Sequence, residues 1–414
     1  MRQILSGFTP PRGLIFSAAC VVIFCCAGIS SFSVFVDPLA QATSASRSQI
    51  ILSLALYQFI MSVFCIFSGR IADRSDPKKL MYAGGLLLGL GWALAAHASS
   101  LGMLYFALSV VGAVGVGLLY TPVISTALRW YPEKRGTMSG VLLSSASMGS
   151  LIMAQVGALL CQHFGTSGLL YVGALYFVLI WAVGWLMRLP PYGWRPHGWE
   201  PPPVDAQNAH LGGDCSPGFM IKTCTFWFML LLFSLACVAG VMMVSMLSPI
   251  AQIQLNLSPV TAAHMVSINC LANFVGRLSL GRLSDVWGES KTLALIFAMT
   301  AFSLWGLGQT TSIGWFVFFL VLLGGAFGGV LVVFPPLTAK TFGMMHAGIN
   351  YGLLFFGYTV GALLGPQIAA LAMEPSLGAH AFGRAYDIAQ ALAVAGLVLS
   401  LLFVRRERRR GGRP

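Results

Sequence analysis

The chain has 414 residues, of which 57% are apolar and only 9% are Asp, Glu, Lys or Arg. Soluble domains carry about 25% charged residues, so the composition excludes a water-soluble enzyme, a disordered chain and a collagen-like fibre. It predicts an all-α membrane protein, because strand-like stretches of about ten alternating residues do not recur. The net charge of +12 raises nucleic-acid binding as an alternative, but the distribution of the charges argues against it.

Twelve apolar segments approach or exceed the ~20 residues that a membrane-spanning helix needs. They cover residues 13–37, 48–69, 80–98, 101–129, 137–162, 168–188, 222–251, 259–281, 292–309, 312–339, 347–371 and 384–404. The first segment lacks a cleavage site of small residues, so we expect it to be retained rather than removed as a signal peptide.

The basic residues predict the orientation of these segments. If both termini are cytoplasmic, 21 of the 24 Lys and Arg residues lie on the cytoplasmic side, and only Arg47 and Arg384 lie outside. This asymmetry follows the positive-inside rule. The basic tail from Arg405 to Arg410 then contacts anionic membrane lipids rather than nucleic acid. Short loops without large external domains favour a bacterial inner membrane, and we expect a monomer.

The sequence contains an internal repeat. Asp37-Pro-Leu-Ala-Gln41 recurs as Ser248-Pro-Ile-Ala-Gln252 after 211 residues, and Gly69-Arg-Ile-Ala-Asp73 recurs as Gly281-Arg-Leu-Ser-Asp285 after 212. The repeat predicts two similar six-helix bundles in the same orientation. The predicted domains are residues 1–188, a Pro-rich cytoplasmic linker over 189–221, and residues 222–414 with the basic tail. Parallel repeats of this kind are typical of secondary transporters.

The segment from Gly69 to Lys79 resembles the loop 2–3 signature of the major facilitator superfamily, and Gly281 to Lys291 resembles a degenerate second copy. The resemblance implies that this loop contacts neighbouring helix ends and stabilises one conformation of the transporter. The implied gating residues are Gly69, Asp73, Arg74, Gly281 and Asp285. A solvated loop without such contacts is the alternative.

A narrower resemblance is to the oxalate/formate antiporter family, which is related to the monocarboxylate transporters. It rests on Tyr120-Thr-Pro, on Trp130-Tyr-Pro-Glu-Lys-Arg-Gly136, on Asn350-Tyr-Gly352 and on residues 191–199 of the linker. It implies a carrier of small organic anions that works by alternating access, with proton symport or anion exchange.

Arg277 is the main candidate binding residue, because it lies inside the eighth segment and no Asp or Glu of that segment is near it. A cation at membrane depth costs at least about 2.5–3.5 kcal/mol on insertion scales. A carboxylate substrate could neutralise it through two parallel hydrogen bonds. The alternative is that Arg277, four residues before Gly281, extends to the inner face or pairs with loop 2–3. The family resemblance favours the binding role, since a segment 8 arginine binds the substrate carboxylate there.

Aromatic residues are expected to line the rest of the site. Matching to the family pattern nominates Tyr120, Phe327, Phe355 and Tyr358, although each is equally well explained by packing.

Two positions depart from related families. Oxalate-selective members have a lysine where this chain has Tyr358, so a single buried cation favours a monoanion such as formate, lactate or pyruvate. Animal monocarboxylate carriers have an Asp tied to proton coupling where this chain has Asn273, which is also a candidate substrate contact. Protons therefore remain one candidate coupling ion, and exchange remains open.

Other classes of function have less support in the sequence. There is no HExxH motif, no intramembrane Ser/His/Asp set and no pair of catalytic carboxylates, which predicts that the chain is not an enzyme. Its nine Cys form no CxxC pair and no His is spaced to bind metal, so neither a metal site nor a cofactor is predicted. The remaining alternatives are a dicarboxylate–monocarboxylate antiporter and a sensor that binds an anion without transporting it.

Overall fold

The structure is a computed structural model that describes residues 10–191, 194–198 and 214–411. All regular secondary structure within these ranges is helical. Most of the predicted linker, including residues 199–213, lies outside the described residues, as does Arg413 of the basic tail.

The helices of the first half of the chain include two long rods that change helix type along their length. The helices are α1 (Arg12–Cys26), α2 (Val36–Thr43), α3 (Arg47–Arg74), α4 (Pro77–Ala96), α5 (Leu101–Leu104), α6 (Ala113–Arg129), α7 (Arg135–Phe164) and α8 (Gly168–Gly184). A 3-10 stretch, Ala27–Phe35, joins α1 to α2, and a π-helical stretch, Tyr105–Gly112, joins α5 to α6.

The second half begins with one short helix and continues with six long ones. They are α9 (Pro217–Met220), α10 (Cys224–Gln254), α11 (Pro259–Trp287), α12 (Glu289–Gln309), α13 (Ile313–Phe342), α14 (Ala347–Ala372) and α15 (Gly383–Gly411). With each joined rod counted once and α9 left out, the described residues form twelve long helical rods.

Ten stretches of the described residues are long and apolar enough to cross a membrane. One of them, Arg135–Gly184, contains both α7 and α8, and α11 is not among the ten. The reason is the polar content of α11, whose Asn269, Asn273 and Arg277 are all buried. The predicted all-α membrane fold is confirmed, and twelve spans are consistent with it.

The sequence specifies several helix starts directly. Ser46 accepts a hydrogen bond from the backbone of Gln49, and the Gln49 side chain accepts one from the backbone of Ser46, so this capping box begins α3. Asp76 caps α4, whose first residue is Pro77. Such caps satisfy backbone donors that have no partner within the helix.

Two long helix pairs join the halves of the chain: α3 packs along α14, and α7 packs along α11. Glycine makes both contacts close. A Cβ on Gly352 would lie 2.6 Å from the Cys65 carbonyl oxygen, and one on Gly140 would lie 2.5 Å from that of Arg277. Small residues at such positions let helix backbones approach in membrane proteins. The two pairs are related by 212 residues, since Gly140 corresponds to Gly352 and Cys65 to Arg277.

Candidate functional site

Arg277 of α11 is buried inside the protein, and only 8% of its surface is exposed. Its Nη1 donates a hydrogen bond to the carbonyl oxygen of Leu143 on α7. Its Nε has no hydrogen-bond partner. Within the described ranges no Asp or Glu forms an ion pair with it.

This environment leaves the guanidinium incompletely neutralised. A guanidinium has five N–H donors and no acceptor, and the carbonyl of Leu143 carries only a partial charge. Buried charges in proteins are otherwise paired, because removing an ion from water costs several kcal/mol. The residues around Arg277 therefore leave capacity for an acceptor, and an anion would supply both the acceptor and the missing charge.

Aromatic side chains from two helices meet beside Arg277. The ring of Tyr120 on α6 lies 5.0 Å from that of Phe355 on α14, and Phe355 stacks on Tyr358 at 5.3 Å. The phenols of Tyr120, Tyr358 and Tyr351 are close enough to interact electrostatically with the guanidinium. The structure thus brings three of the four nominated aromatic residues together with Arg277.

Of the other two candidate contacts, one lies on the same helix as Arg277 and one on α13. Asn273 is one turn before Arg277 on α11, and its Oδ1 is 3.5 Å from Ser147 Oγ of α7. Phe327 lies on α13 with its ring against Gly240 of α10. The next residue, Gly328, packs closely against the backbone of Asn273 and Arg277. A Cβ added at Gly328 would lie 2.3 Å from the Asn273 carbonyl oxygen.

Tyr351 belongs to this group, although the sequence analysis did not nominate it. Its ring lies 5.9 Å from that of Phe355. A usable signal was present, because positions 351, 355 and 358 are spaced to share one face of a helix. In a chain with 11 Tyr and 28 Phe, however, a single aromatic residue carries little information.

One end of the bundle holds the first of two clusters that link the halves. We name it the Asp73 cluster, and it comprises Gly69, Asp73, Arg129, Gly348 and Ile349. Asp73 pairs with Arg129 of α6 at 2.6 Å and accepts hydrogen bonds from the backbone N–H groups of Gly348 and Ile349, at 3.1 and 3.0 Å. A carboxylate at a helix start satisfies free N–H groups and interacts favourably with the helix dipole.

Arg129 and Gly69 complete this cluster, whereas Arg74 does not contribute to it. Arg129 also donates hydrogen bonds to the carbonyl oxygens of Met344 and Met345, at 3.0 and 3.3 Å. A Cβ on Gly69 would lie 2.4 Å from the carbonyl oxygen of Gly348. The side chain of Arg74 is exposed.

The second cluster, which we name the Asp285 cluster, comprises Gly136, Thr137, Gly281 and Asp285. Asp285 accepts hydrogen bonds from the N–H groups of Gly136 and Thr137, both at 2.7 Å, and from Thr137 Oγ1 at 2.6 Å. A Cβ on Gly281 would lie 2.7 Å from the carbonyl oxygen of Gly136. Asp285 thus caps α7 as Asp73 caps α14, and both clusters lie where α3, α6, α11 and α13 end.

These features define a class of protein. It is a helical membrane protein whose halves are joined at one end by polar contacts, with a buried cation between them. Within the described residues no group of three or more His, Cys, Asp or Glu is arranged to hold a metal ion.

Comparison with known proteins identifies the family. The model of the Major Facilitator Superfamily matches residues 18–366, and the chain belongs to that superfamily. It is therefore a membrane transporter rather than an enzyme.

Among curated proteins, the chain is similar to an uncharacterized MFS-type transporter, YhjX, of Escherichia coli strain K12, with 26% identity over 86% of the chain and 87% of the relative. It is also similar to the oxalate:formate antiporter of Oxalobacter formigenes, with 25% identity over 82% and 79%. Monocarboxylate transporter 12 of Xenopus laevis is 26% identical over 69% and 66%.

Solved structures share the fold. The human organic anion transporter MFSD10 matches with a TM-score of 0.74 and 15% identity, over 94% of this chain and all of that one. FucP in the outward conformation matches with a TM-score of 0.70 and 15% identity, over 94% and 98%.

Proposed function

We propose that this transporter carries small organic anions, and specifically monocarboxylates such as formate, lactate or pyruvate. The observation that carries the proposal is Arg277, a buried guanidinium whose Nε has no hydrogen-bond partner and with which no described Asp or Glu forms an ion pair. A carboxylate would bind it through two parallel hydrogen bonds. Tyr120, Phe355 and Tyr358 would enclose the apolar part of the substrate.

Among the described residues Arg277 is the most deeply buried Lys or Arg, and a single cation at the site supports a singly charged substrate. Oxalate-selective members of the oxalate/formate family have a lysine where this chain has Tyr358, and no cation takes its place on α14. Exchange of a dicarboxylate for a monocarboxylate is the second candidate, and the similarity to the oxalate:formate antiporter supports it.

Transport would proceed by alternating access, with residues 1–188 and 222–414 rocking about the site between them. The Asp73 and Asp285 clusters would form while one end is closed and separate when that end opens. Arg277 without an anion would oppose the crossing, since its charge is then uncompensated. Coupling is either proton symport or anion exchange. Because Asn273 stands where animal monocarboxylate carriers have an Asp, symport would need another proton acceptor, or the substrate and Arg277 alone.

The decisive experiment measures uptake of labelled formate, lactate, pyruvate and oxalate into proteoliposomes. Arg277→Ala should lower monocarboxylate uptake at least about a hundredfold, because removing a charged partner of a carboxylate costs roughly 3 kcal/mol. Arg282→Ala is the matched control, since Arg282 is exposed near the end of the same helix. Equal uptake by the two variants would contradict the role of Arg277.

The same vesicles separate the alternatives. Counterflow without a proton gradient would show exchange, whereas uptake that needs an imposed gradient would show symport. Stabilisation of the purified protein by formate without any flux would instead indicate an anion sensor.

We also propose that the protein is a monomer in a bacterial inner membrane with both termini in the cytoplasm. The distribution of Lys and Arg along the sequence supports the orientation of the termini, and the short loops support a bacterial inner membrane. A fluorescent protein fused to the C-terminus should fluoresce if that end is cytoplasmic, and a periplasmic reporter should be inactive there.

A further inference from the structure

Several buried polar atoms of the described residues have no hydrogen-bond partner, and two of them belong to the group of residues around Arg277. These two are Nε of Arg277 and the phenol oxygen of Tyr351. Tyr351 is only 2% exposed, and its phenol interacts electrostatically with Arg277 and Tyr120. The Tyr351 ring also lies 5.9 Å from that of Phe355, within the aromatic group of the proposed site. Buried polar groups in native proteins are nearly always paired, so an unpaired hydroxyl in the same site as an unpaired guanidinium nitrogen needs an explanation.

The chemistry of the two groups identifies the kind of partner they share. The guanidinium can only donate, and a phenol donates one hydrogen bond. An acceptor between them would satisfy both groups at once. A carboxylate offers two oxygens with about four lone-pair sites, and a hydrogen bond to a charged acceptor is stronger than one to a neutral acceptor.

The other half of the chain provides an internal reference. The residue 212 positions before Tyr351 is Ser139, which is also fully buried. Its hydroxyl donates to the carbonyl oxygen of Val332 at 3.0 Å. At this position of the repeat one half therefore satisfies its hydroxyl internally, whereas the other half leaves it without a partner.

We propose that Tyr351 is a second anion-binding residue, which donates its phenol hydrogen to the same carboxylate that Arg277 binds. This inference rests on the proposed function. It also links the site to the Asp73 cluster, because Tyr351 lies two residues after Ile349, whose N–H group Asp73 accepts. An anion held by Tyr351 would bind the first turns of α14, the helix that Asp73 caps.

The test uses Tyr351→Phe in the full-length protein, with Tyr386→Phe as the matched control. Tyr386 is equally buried at 2%, but its phenol donates to Gln254 Oε1 at 3.0 Å within the packing of α10 and α15. Both variants lose one oxygen atom. The measurements are the melting temperature of the purified protein with and without formate, and the half-saturating formate concentration for uptake.

Without formate, Y351F should melt at or above the wild-type temperature, because it loses a buried hydroxyl that makes no bond. Y386F should melt lower, because it leaves Gln254 without its donor. The half-saturating formate concentration of Y351F should be at least about tenfold higher than that of wild type. This is the effect of losing one hydrogen bond to a charged group. Y386F should keep the wild-type formate dependence.

The outcomes separate this inference from the proposed function. If wild type neither binds nor transports any carboxylate, the proposed function is wrong and this inference with it. If wild type responds to formate and Y351F responds equally, only the role of Tyr351 is wrong. Destabilisation or loss of folded Y351F would also overturn it, since the phenol would then have a structural partner.

Discussion

The Asp73 and Asp285 clusters occupy corresponding positions of the two halves, yet they differ in charge. In both, an aspartate caps a helix of the opposite half, and the capped residues Gly348 and Gly136 are 212 positions apart. Asp73 has an arginine partner that is mostly buried, with 2% of the Asp73 side chain and 15% of the Arg129 side chain exposed. Asp285 is exposed, and its additional contact is the hydroxyl of Thr137.

The residues at the corresponding positions account for this difference. Thr341 occupies the position that corresponds to Arg129, 212 residues later in the chain. Its hydroxyl donates to the carbonyl oxygen of Leu337 in its own helix at 2.8 Å. At the same distance from Thr137 stands Ile349, which has no hydroxyl. The backbone arrangement is common to both clusters, so the side chains beside each aspartate decide how strongly it joins the halves. We expect the Asp73 cluster to contribute more than the Asp285 cluster to the stability of the closed end, the end of the bundle at which both clusters join the halves.

The largest expected effect comes from removing each aspartate in turn. Asp73→Ala leaves Arg129 buried without a counter-ion, and removing one partner of a buried pair typically costs about 3–5 kcal/mol. The closed end should therefore open in D73A, and uptake should fall more than about tenfold. Asp285→Ala leaves no buried charge and should lower uptake only a few-fold. Spin labels at the exposed residues Arg74 and Met345 would report the separation of the halves.

A double variant tests the physical reason for that difference. If the uncompensated arginine causes most of the loss, D73A combined with Arg129→Ala should be less impaired than D73A alone. An equal or larger effect of D285A than of D73A would contradict the predicted order of the two clusters.

A smaller difference is expected from the glycines at which the helices cross. Gly69→Ala places a Cβ 2.4 to 2.7 Å from three backbone atoms of Gly348 and Ile349, which cannot rotate away. Gly281→Ala places it 2.7 Å from the Gly136 carbonyl oxygen, with its next neighbours at 3.0 Å or more. Overpacking costs about 1–3 kcal/mol, so both should weaken the closed end and G69A should do so more.

The measurement for the glycine variants is again the label separation together with uptake. Gly102→Ala is the matched control, because nothing lies within 4 Å of its added Cβ. Wild-type behaviour of G69A would show that the two backbones separate readily, and that the close approach contributes little to the closed end.

The sequence predicted the features that depend on local pattern. Long apolar runs gave the helical membrane fold, and the repeat pointed to Asp73 and Asp285. It did not identify Arg129 as the partner of Asp73, because the pair is separated by 56 residues and forms only when α3 and α6 pack together. Arg74, adjacent to Asp73 in the sequence, is exposed instead, which follows because neighbouring residues on a helix point in different directions.

Arg277 and Tyr351 show the same limit within the candidate site. A lone arginine in an apolar segment is conspicuous in a sequence, since its cost in the membrane needs compensation. Tyr351, by contrast, has an aromatic ring that is common in apolar helices, so the sequence alone does not single it out. Only the contacts of the folded chain show that its hydroxyl has no partner.

The smallest expected effect concerns the hydroxyl that distinguishes the Asp285 cluster. Thr137→Val keeps the shape of the side chain and both backbone N–H bonds to Asp285, and removes only the bond at 2.6 Å. Because the contact is exposed to solvent, uptake should fall no more than about threefold. Ser145→Ala is a suitable control, since the hydroxyl of Ser145 donates to the carbonyl oxygen of Val141 within α7 and makes no contact with the Asp285 cluster. A T137V defect as large as that of D285A would mean that the hydroxyl, rather than the capped backbone, holds the second cluster together.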